Sequence, residues 1–336
     1  MSTVFPPEFS EPIAPPPPQR RSPVANVFIG PRGLRAGWRA LCFVLITAGL
    51  LLGFQFAISH MPAVLRAIHA QGQEHVMSPG LMLISELLAC FCALVAATLM
   101  ARVENRSVAD YGLRGRGLRG RFFVQGLVWG IVEISSLMLA IAAFRGFSFG
   151  NLALHGGELV KYTLLWAMVF LLIGFFEEFT FRGYLQHAFQ QGMGFWPAAI
   201  LASTIFGALH LHNVGEDWAG ALMAGLFAIL ACLTLRRTGS IWLAIGMHAG
   251  YDFGETFLYS VPDSGVPPSH SLLHSTLHGP SWLTGGAVGP EGSIFALVML
   301  VLAIVAVHFI YPPNRWTAGM HDETAGAMPR NLSPRI

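Results

Sequence analysis

Apolar residues in this chain run in long unbroken blocks. They do not alternate as in a half-buried strand, nor recur on one helical face as in a soluble helix. A helix that crosses a bilayer needs about 20 mostly apolar residues. Eight blocks approach that length, at about 38–59, 80–101, 122–144, 160–186, 195–212, 218–235, 240–257 and 291–311. The fourth is longer than a bilayer requires. The fifth, sixth and seventh are short and interrupted by polar residues. The pattern predicts an all-α fold, a polytopic membrane helix bundle of about eight transmembrane helices in one domain. No repeat at a period of 20–50 residues is evident.

Composition agrees with this reading. The chain of 336 residues is 54% hydrophobic and 11% charged, against about 25% charged residues in a soluble domain. Such a chain cannot cover a globule with charge. Cys42, Cys90, Cys92 and Cys232 all lie inside apolar blocks without a CxxC, which predicts apolar filler and no disulfide framework. Residues 1–36 are proline-rich and polar, with no apolar core of secretory-signal type. They are expected to form a disordered cytoplasmic tail, as are residues 312–336, with the membrane domain at 37–311.

Positive charge is placed unevenly. Arg20, Arg21, Arg32, Arg35 and Arg39 precede the first block; Arg102, Arg106, Arg114, Arg116, Arg119 and Arg121 follow the second. Arg236 and Arg237 follow the sixth, and Arg315, Arg330 and Arg335 follow the last. Eight crossings put all of these on one side. The loops "HNVGED" and 258–290, which carry no Arg or Lys, fall on the other. Arginine and lysine favour the cytoplasmic side, so both termini are expected there, with the plasma membrane as the expected location.

Ionisable groups at membrane depth are costly unless paired or hydrated, and default to functional candidates. Candidates inside the blocks are Glu86, Glu133, Glu177, Glu178, Arg182, His210, His248 and Asp252. Glu86 and Glu133 either line the cavity or pair with bundle partners, and pairing is the favoured expectation. In "EEFTFR", Glu178 and Arg182 are four residues apart on one helical face and can neutralise each other. Glu177 points about 100° away and stays available. In "FGALH", Phe206 and His210 are again four apart. The turn "QQGMGFWP" separates the two helices: Glu177 lies sixteen residues before Met193 and His210 seventeen after it. Two unbroken antiparallel helices would hold both about 25 Å from the turn, at one depth. In "HAGYD", His248 and Asp252 share a face, so the carboxylate can orient the imidazole. This set suits general-base activation of water with oxyanion stabilisation. It suits equally a zinc ion held by one carboxylate and two histidines. HExxH and GxGD motifs are absent. His270, His274 and His278 would form a metal-binding stripe only on a helix, and the surrounding Ser, Gly and Pro predict an irregular outer loop instead.

The order EExxxR, FxxxH, HxxxD on successive apolar helices resembles the CPBP family of intramembrane proteases. That family includes the type II CAAX prenyl endopeptidases and bacterial Abi and lysostaphin-resistance-like proteins. "VADYGLRGRG" resembles the segment that often precedes the family's core, so the resemblance covers about 105–260. It implies an eight-helix bundle, a peptide or protein substrate in the lipid bilayer, and no nucleic-acid partner. It implies peptide-bond hydrolysis, with Glu177 and His210 activating water and His248 and Asp252 holding the oxyanion or helping to bind a metal. Glu178, Arg182 and Phe206 would support them. Zn²⁺ and a metal-free glutamate mechanism are both compatible with the family. Asp252 departs from the Asn of many members: an amide donates to an oxyanion and an ionised carboxylate does not. Some members act as silent scaffolds or in bacteriocin immunity, and a proton-coupled transporter is a third reading.

Overall fold

A computed structural model describes residues 23–30, 33–62, 65–66, 76–114 and 119–312. Of the tails predicted at 1–36 and 312–336, residues 1–22, 31–32 and 313–336 lie outside the described residues. Two compact units are present, residues 1–35 and 36–336. In the first, Pro23–Phe28 forms a short helix, and Ile29–Gly30 pairs antiparallel with Gly33–Leu34.

The second unit is a helix bundle with eight principal helices. These are α1 (Ala36–Ser59), α2 (Pro79–Val103), α3 (Arg119–Ala143), α4 (Gly156–Met193), α5 (Phe195–His210), α6 (Trp218–Thr238), α7 (Trp242–Asp252, continued by the π-helical Phe253–Leu258) and α8 (Ile294–Ile310). Each coincides with a predicted block. Five of them (α1, α2, α3, α4 and α6) are long and apolar enough to cross a membrane, and the chain is an integral membrane protein. One expectation about length is corrected. The sixth helix is full length at 21 residues, whereas the eighth is short at 17. Arg236 and Arg237 were placed in a loop, but they complete the last turn of α6, where cations suit the helix dipole. Gly239, in the left-handed conformation, then ends the helix.

The central seam is α3 against α7. Small residues face each other there: a Cβ on Gly126 would collide with the Leu243 carbonyl oxygen, and one on Gly246 with that of Phe123. Bare backbone lets the two helices approach closely, which in lipid supplies the van der Waals contact that drives helix association. α7 also packs on α4, α2 on both α1 and α4, α5 on α6, and α8 on both α6 and α3.

Helix α4 spans 38 residues. It passes through a π-helical segment at Phe179–Leu185 that contains Arg182. The wider turn rotates the helix beyond the EExxxR motif, a geometry frequent at functional sites. Gly194 (φ 83°) then reverses the chain into α5. Below the motif, Ser107 caps a single 3₁₀ turn at Val108–Asp110 with a reciprocal capping box. Gly112 O accepts a 3.0 Å hydrogen bond from Ile241 N at the head of α7, and Tyr111 packs edge-on to Tyr184. The described part of "VADYGLRGRG" therefore braces α4 against α7.

Arg39 is another correction. Counted as a loop charge, it is buried, donating to Glu104 at 3.1 Å and to Gln191 at 2.8 Å. Tyr184 donates to the other Glu104 oxygen at 2.7 Å. Glu104 in turn has a partner from each of α1 and α4, so the network ties those helices to the end of α2.

Candidate active site

α4, α5 and α7 deliver their polar residues to one cavity of about 840 Å³ inside the bundle. Glu177, Phe206, His210, His248 and Asp252 all line it. Glu178 and Arg182 lie behind, 0% and 2% exposed.

His248 is the hub. Its Nδ1 donates to Glu178 Oε1 at 3.0 Å. Its Nε2 lies 3.5 Å from Glu177 Oε2 and 3.3 Å from Asp252 Oδ2. Both contacts at Nε2 are attractive only with a proton on that nitrogen. Glu178 also pairs with Arg182, Oε2 to Nε at 3.3 Å, on side chains sealed from solvent. The Arg182 guanidinium sits 4.4 Å from the centre of the Phe206 ring, so Phe206 covers the cation with its π face. The two neighbouring glutamates thus meet different surroundings. Glu178 is internal, bridging Arg182 and His248, while Glu177 faces the cavity.

His210 reaches the same cavity from α5. Its Nδ1 donates to the Phe206 carbonyl at 2.9 Å, which leaves the Nε2 lone pair free of that bond. Glu177 and His210 share the cavity but keep separate partners, His248 for one and Phe206 for the other.

The expected zinc set does not assemble in this arrangement. Glu177 and Asp252 both occupy the Nε2 edge of His248, and His248 Nδ1 is committed to Glu178. Among the described residues, the group whose ligand atoms all lie within 4.8 Å of one another is Glu255, Asp263 and Glu291, which includes none of the four. Glu177, His210, His248 and Asp252 do not gather their ligand atoms within that mutual distance in this arrangement.

Glu86 and Glu133 do not pair with bundle partners as expected. Both line the cavity, and Glu133 Oε2 is buried without a hydrogen-bond partner. His270, His274 and His278 lie in irregular chain, so no helical stripe forms; His270 stacks on Tyr162 at 4.3 Å.

Sequence reasoning missed Asp263 and Glu291, which line the cavity from the segment between α7 and α8, and Glu255 behind it. Burial pushes the Asp263 and Glu291 carboxyls above the usual carboxylate range. Glu255, three residues after Asp252 in the same block, was visible as a membrane-depth carboxylate. Asp263 gave no signal and Glu291 only its place at the edge of the last block, because residues 28 positions apart meet only in the fold.

Residues 159–254 match the family described as type II CAAX prenyl endopeptidase Rce1-like. The chain is 26% identical over 208 residues to lysostaphin resistance protein A of Staphylococcus haemolyticus, a match covering 57% of this chain and 53% of that protein. It is 26% identical over 135 residues to the protein of the same name from Staphylococcus epidermidis, covering 39% and 35%. The chain thus spans about half the length, or less, of the curated relatives it matches. The family match falls on the helices that carry the three motifs, so the similarity to CPBP-type membrane proteins covers the residues that surround the cavity.

Proposed function

We propose that this protein is an intramembrane endopeptidase whose base is Glu177. The observation that carries the reading is the single cavity into which separate helices project Glu177, His210, His248 and Asp252. The Rce1-like match supports an intramembrane protease fold of CAAX type; CAAX-type processing by this chain is part of the proposal.

The chemistry follows from the contacts. A water between the Glu177 carboxylate and His210 Nε2 attacks the peptide carbonyl carbon, and Glu177 takes its proton. The carbonyl electron pair moves to oxygen, and that oxyanion is met by the Nε2–H of His248, which Glu178 orients through Nδ1. As the carbonyl re-forms, the C–N bond breaks and Glu177 returns the proton to the leaving amine. Asp252 holds the ring from the neighbouring position, as the amide of other members would. Glu178, Arg182 and Phe206 keep the hub in place without touching substrate.

The relatives are named for lysostaphin resistance, and a second reading of this chain is a membrane protein without peptidase activity. Comparing the membrane proteome of cells carrying wild-type or Glu177→Ala protein separates the two. Peptidase activity predicts new peptide termini that appear only with the wild type. Identical termini in both would leave the silent reading standing.

A further inference from the structure

The outer end of the cavity holds a second polar centre that this hydrolysis does not use. Glu255 comes from the π-helical end of α7, Asp263 from the loop that follows, and Glu291 from the 3₁₀ turn before α8. One oxygen from each lies within 4.8 Å of the others. Glu255 is 0% exposed, and both its carboxylate oxygens are buried without a hydrogen-bond partner. Asp263 accepts from Thr256 Oγ1 at 3.0 Å, and Glu291 from Ser264 N at 2.5 Å. Among the described residues, no Lys or Arg forms an ion pair with any of the three.

Three carboxylates gathered out of water need compensation, because isolated buried charge costs several kcal/mol per group. We propose that Glu255, Asp263 and Glu291 form a calcium site that clamps the outer loop onto the bundle beside the catalytic cavity.

The donor set decides the class of ion. All three ligands are hard oxygens, with no His or Cys among them, which selects Ca²⁺ or Mg²⁺ over zinc. Mg²⁺ is normally held by one or two carboxylates and keeps several waters, whereas Ca²⁺ accepts six to eight oxygens from mono- or bidentate carboxylates. Oxygens bound to Ca²⁺ at about 2.4 Å can lie up to about 4.8 Å apart, and the three oxygens here lie within that distance. Asp263 and Glu291 also line the cavity, which gives the ion a path in.

The loop is built to present these groups. Asp263 and Val266 exchange backbone hydrogen bonds across a tight turn whose central residues, Ser264 (φ 45°) and Gly265 (φ 79°), are left-handed. Gly265 N then donates to Val288 O at 2.7 Å. Glu291 accepts from the same turn that carries Asp263. A cation shared with Glu255 would tie the turn, the 3₁₀ segment and α7 together.

The test uses the full-length protein in detergent, stripped with a chelator and then given calcium, magnesium or zinc chloride. At about 1 mM calcium, the affinity range of extracellular calcium modules, the wild type should hold one calcium per chain. Its melting midpoint should rise by about 5 °C once calcium is in hundredfold excess over Kd. Magnesium should move it less. Cleavage by added protease within residues 259–293 should slow at least about tenfold, as expected when a closed loop opens only rarely. Glu255→Gln and Glu291→Gln should each lose the bound calcium and the melting shift. Wild-type protein that binds no calcium, or whose loop is cut equally fast with and without it, would overturn the proposal, even if neither variant folds. So would variants that keep the full calcium response, or a bound metal that is zinc. None of these readouts depends on peptidase activity, so their failure is separate from failure of the hydrolytic reading.

Discussion

Replacing Glu178 by Gln tests the division of labour between the two neighbouring glutamates. Glu178 is 0% exposed and makes two contacts to positively polarised groups, Arg182 Nε at 3.3 Å and His248 Nδ1 at 3.0 Å. Removing one partner of a buried ion pair costs about 3–5 kcal/mol, because the other charge stays buried. Arg182 has little to fall back on. Its Nη1 and Nη2 have no hydrogen-bond partners, and its other neighbours include the Phe206 ring at 4.4 Å and the Phe181 ring at 6.0 Å. The glutamine carbonyl can still accept one hydrogen bond, which places the loss at the lower end, about 3 kcal/mol. That is about a hundredfold in the folding equilibrium. It corresponds to a drop in melting midpoint of about 6–12 °C by the scaling for domains of this size. Glu177→Gln should behave oppositely. Its side chain is 25% exposed and its one ion contact is 3.5 Å long, so the stability loss should stay below about 1 kcal/mol. Loss of the general base should nevertheless cut hydrolysis by about 10²–10⁴. Thermal melts and monodispersity in detergent, run beside a peptide-cleavage assay, measure both quantities. The paired change Glu178→Leu/Arg182→Met should melt above Glu178→Gln, because it leaves no orphaned guanidinium. If Glu178→Gln melts like the wild type while Glu177→Gln unfolds or keeps its activity, the assignment is wrong.

Two further outcomes follow from the same architecture. A topology reporter fused after Arg237 should read cytoplasmic, and one placed within 262–288 should read the opposite side; a cytoplasmic signal from the second would break the eight-crossing threading. Asp252→Asn should retain activity within about tenfold, since an amide can replace the carboxylate as a hydrogen-bonding partner of His248, whereas stoichiometric zinc present in the wild type and lost in this variant would make Asp252 a metal ligand.

Much of this molecule was legible before folding was considered. Block length alone marked the eight helices, because a bilayer imposes one length scale on every crossing. Four-residue spacing predicted the Glu178–Arg182 pair and the His248–Asp252 contact, because residues four apart lie on one helical face whatever surrounds them. The shared cavity of Glu177 and His210 was also in reach, since residues equally far from a turn lie at equal depth. Other features were settled only by tertiary packing. Glu178 turned out to hold His248 as well as Arg182, a contact between α4 and α7 that spacing within either helix cannot report. Arg39 looked like a loop charge but is buried on Glu104, 65 residues away. Glu86 and Glu133 had no sequence partner and were assigned to pairing, yet the fold set them on the cavity wall. Glu255, Asp263 and Glu291 converge from the π-helical end of α7, the loop after it and the 3₁₀ turn before α8. Local sequence determines which face of a helix a residue occupies. Which faces meet, and where an irregular loop returns, is decided by the close approach of α3 to α7 and by the loop's backbone hydrogen bonds, and both depend on residues far apart in the chain.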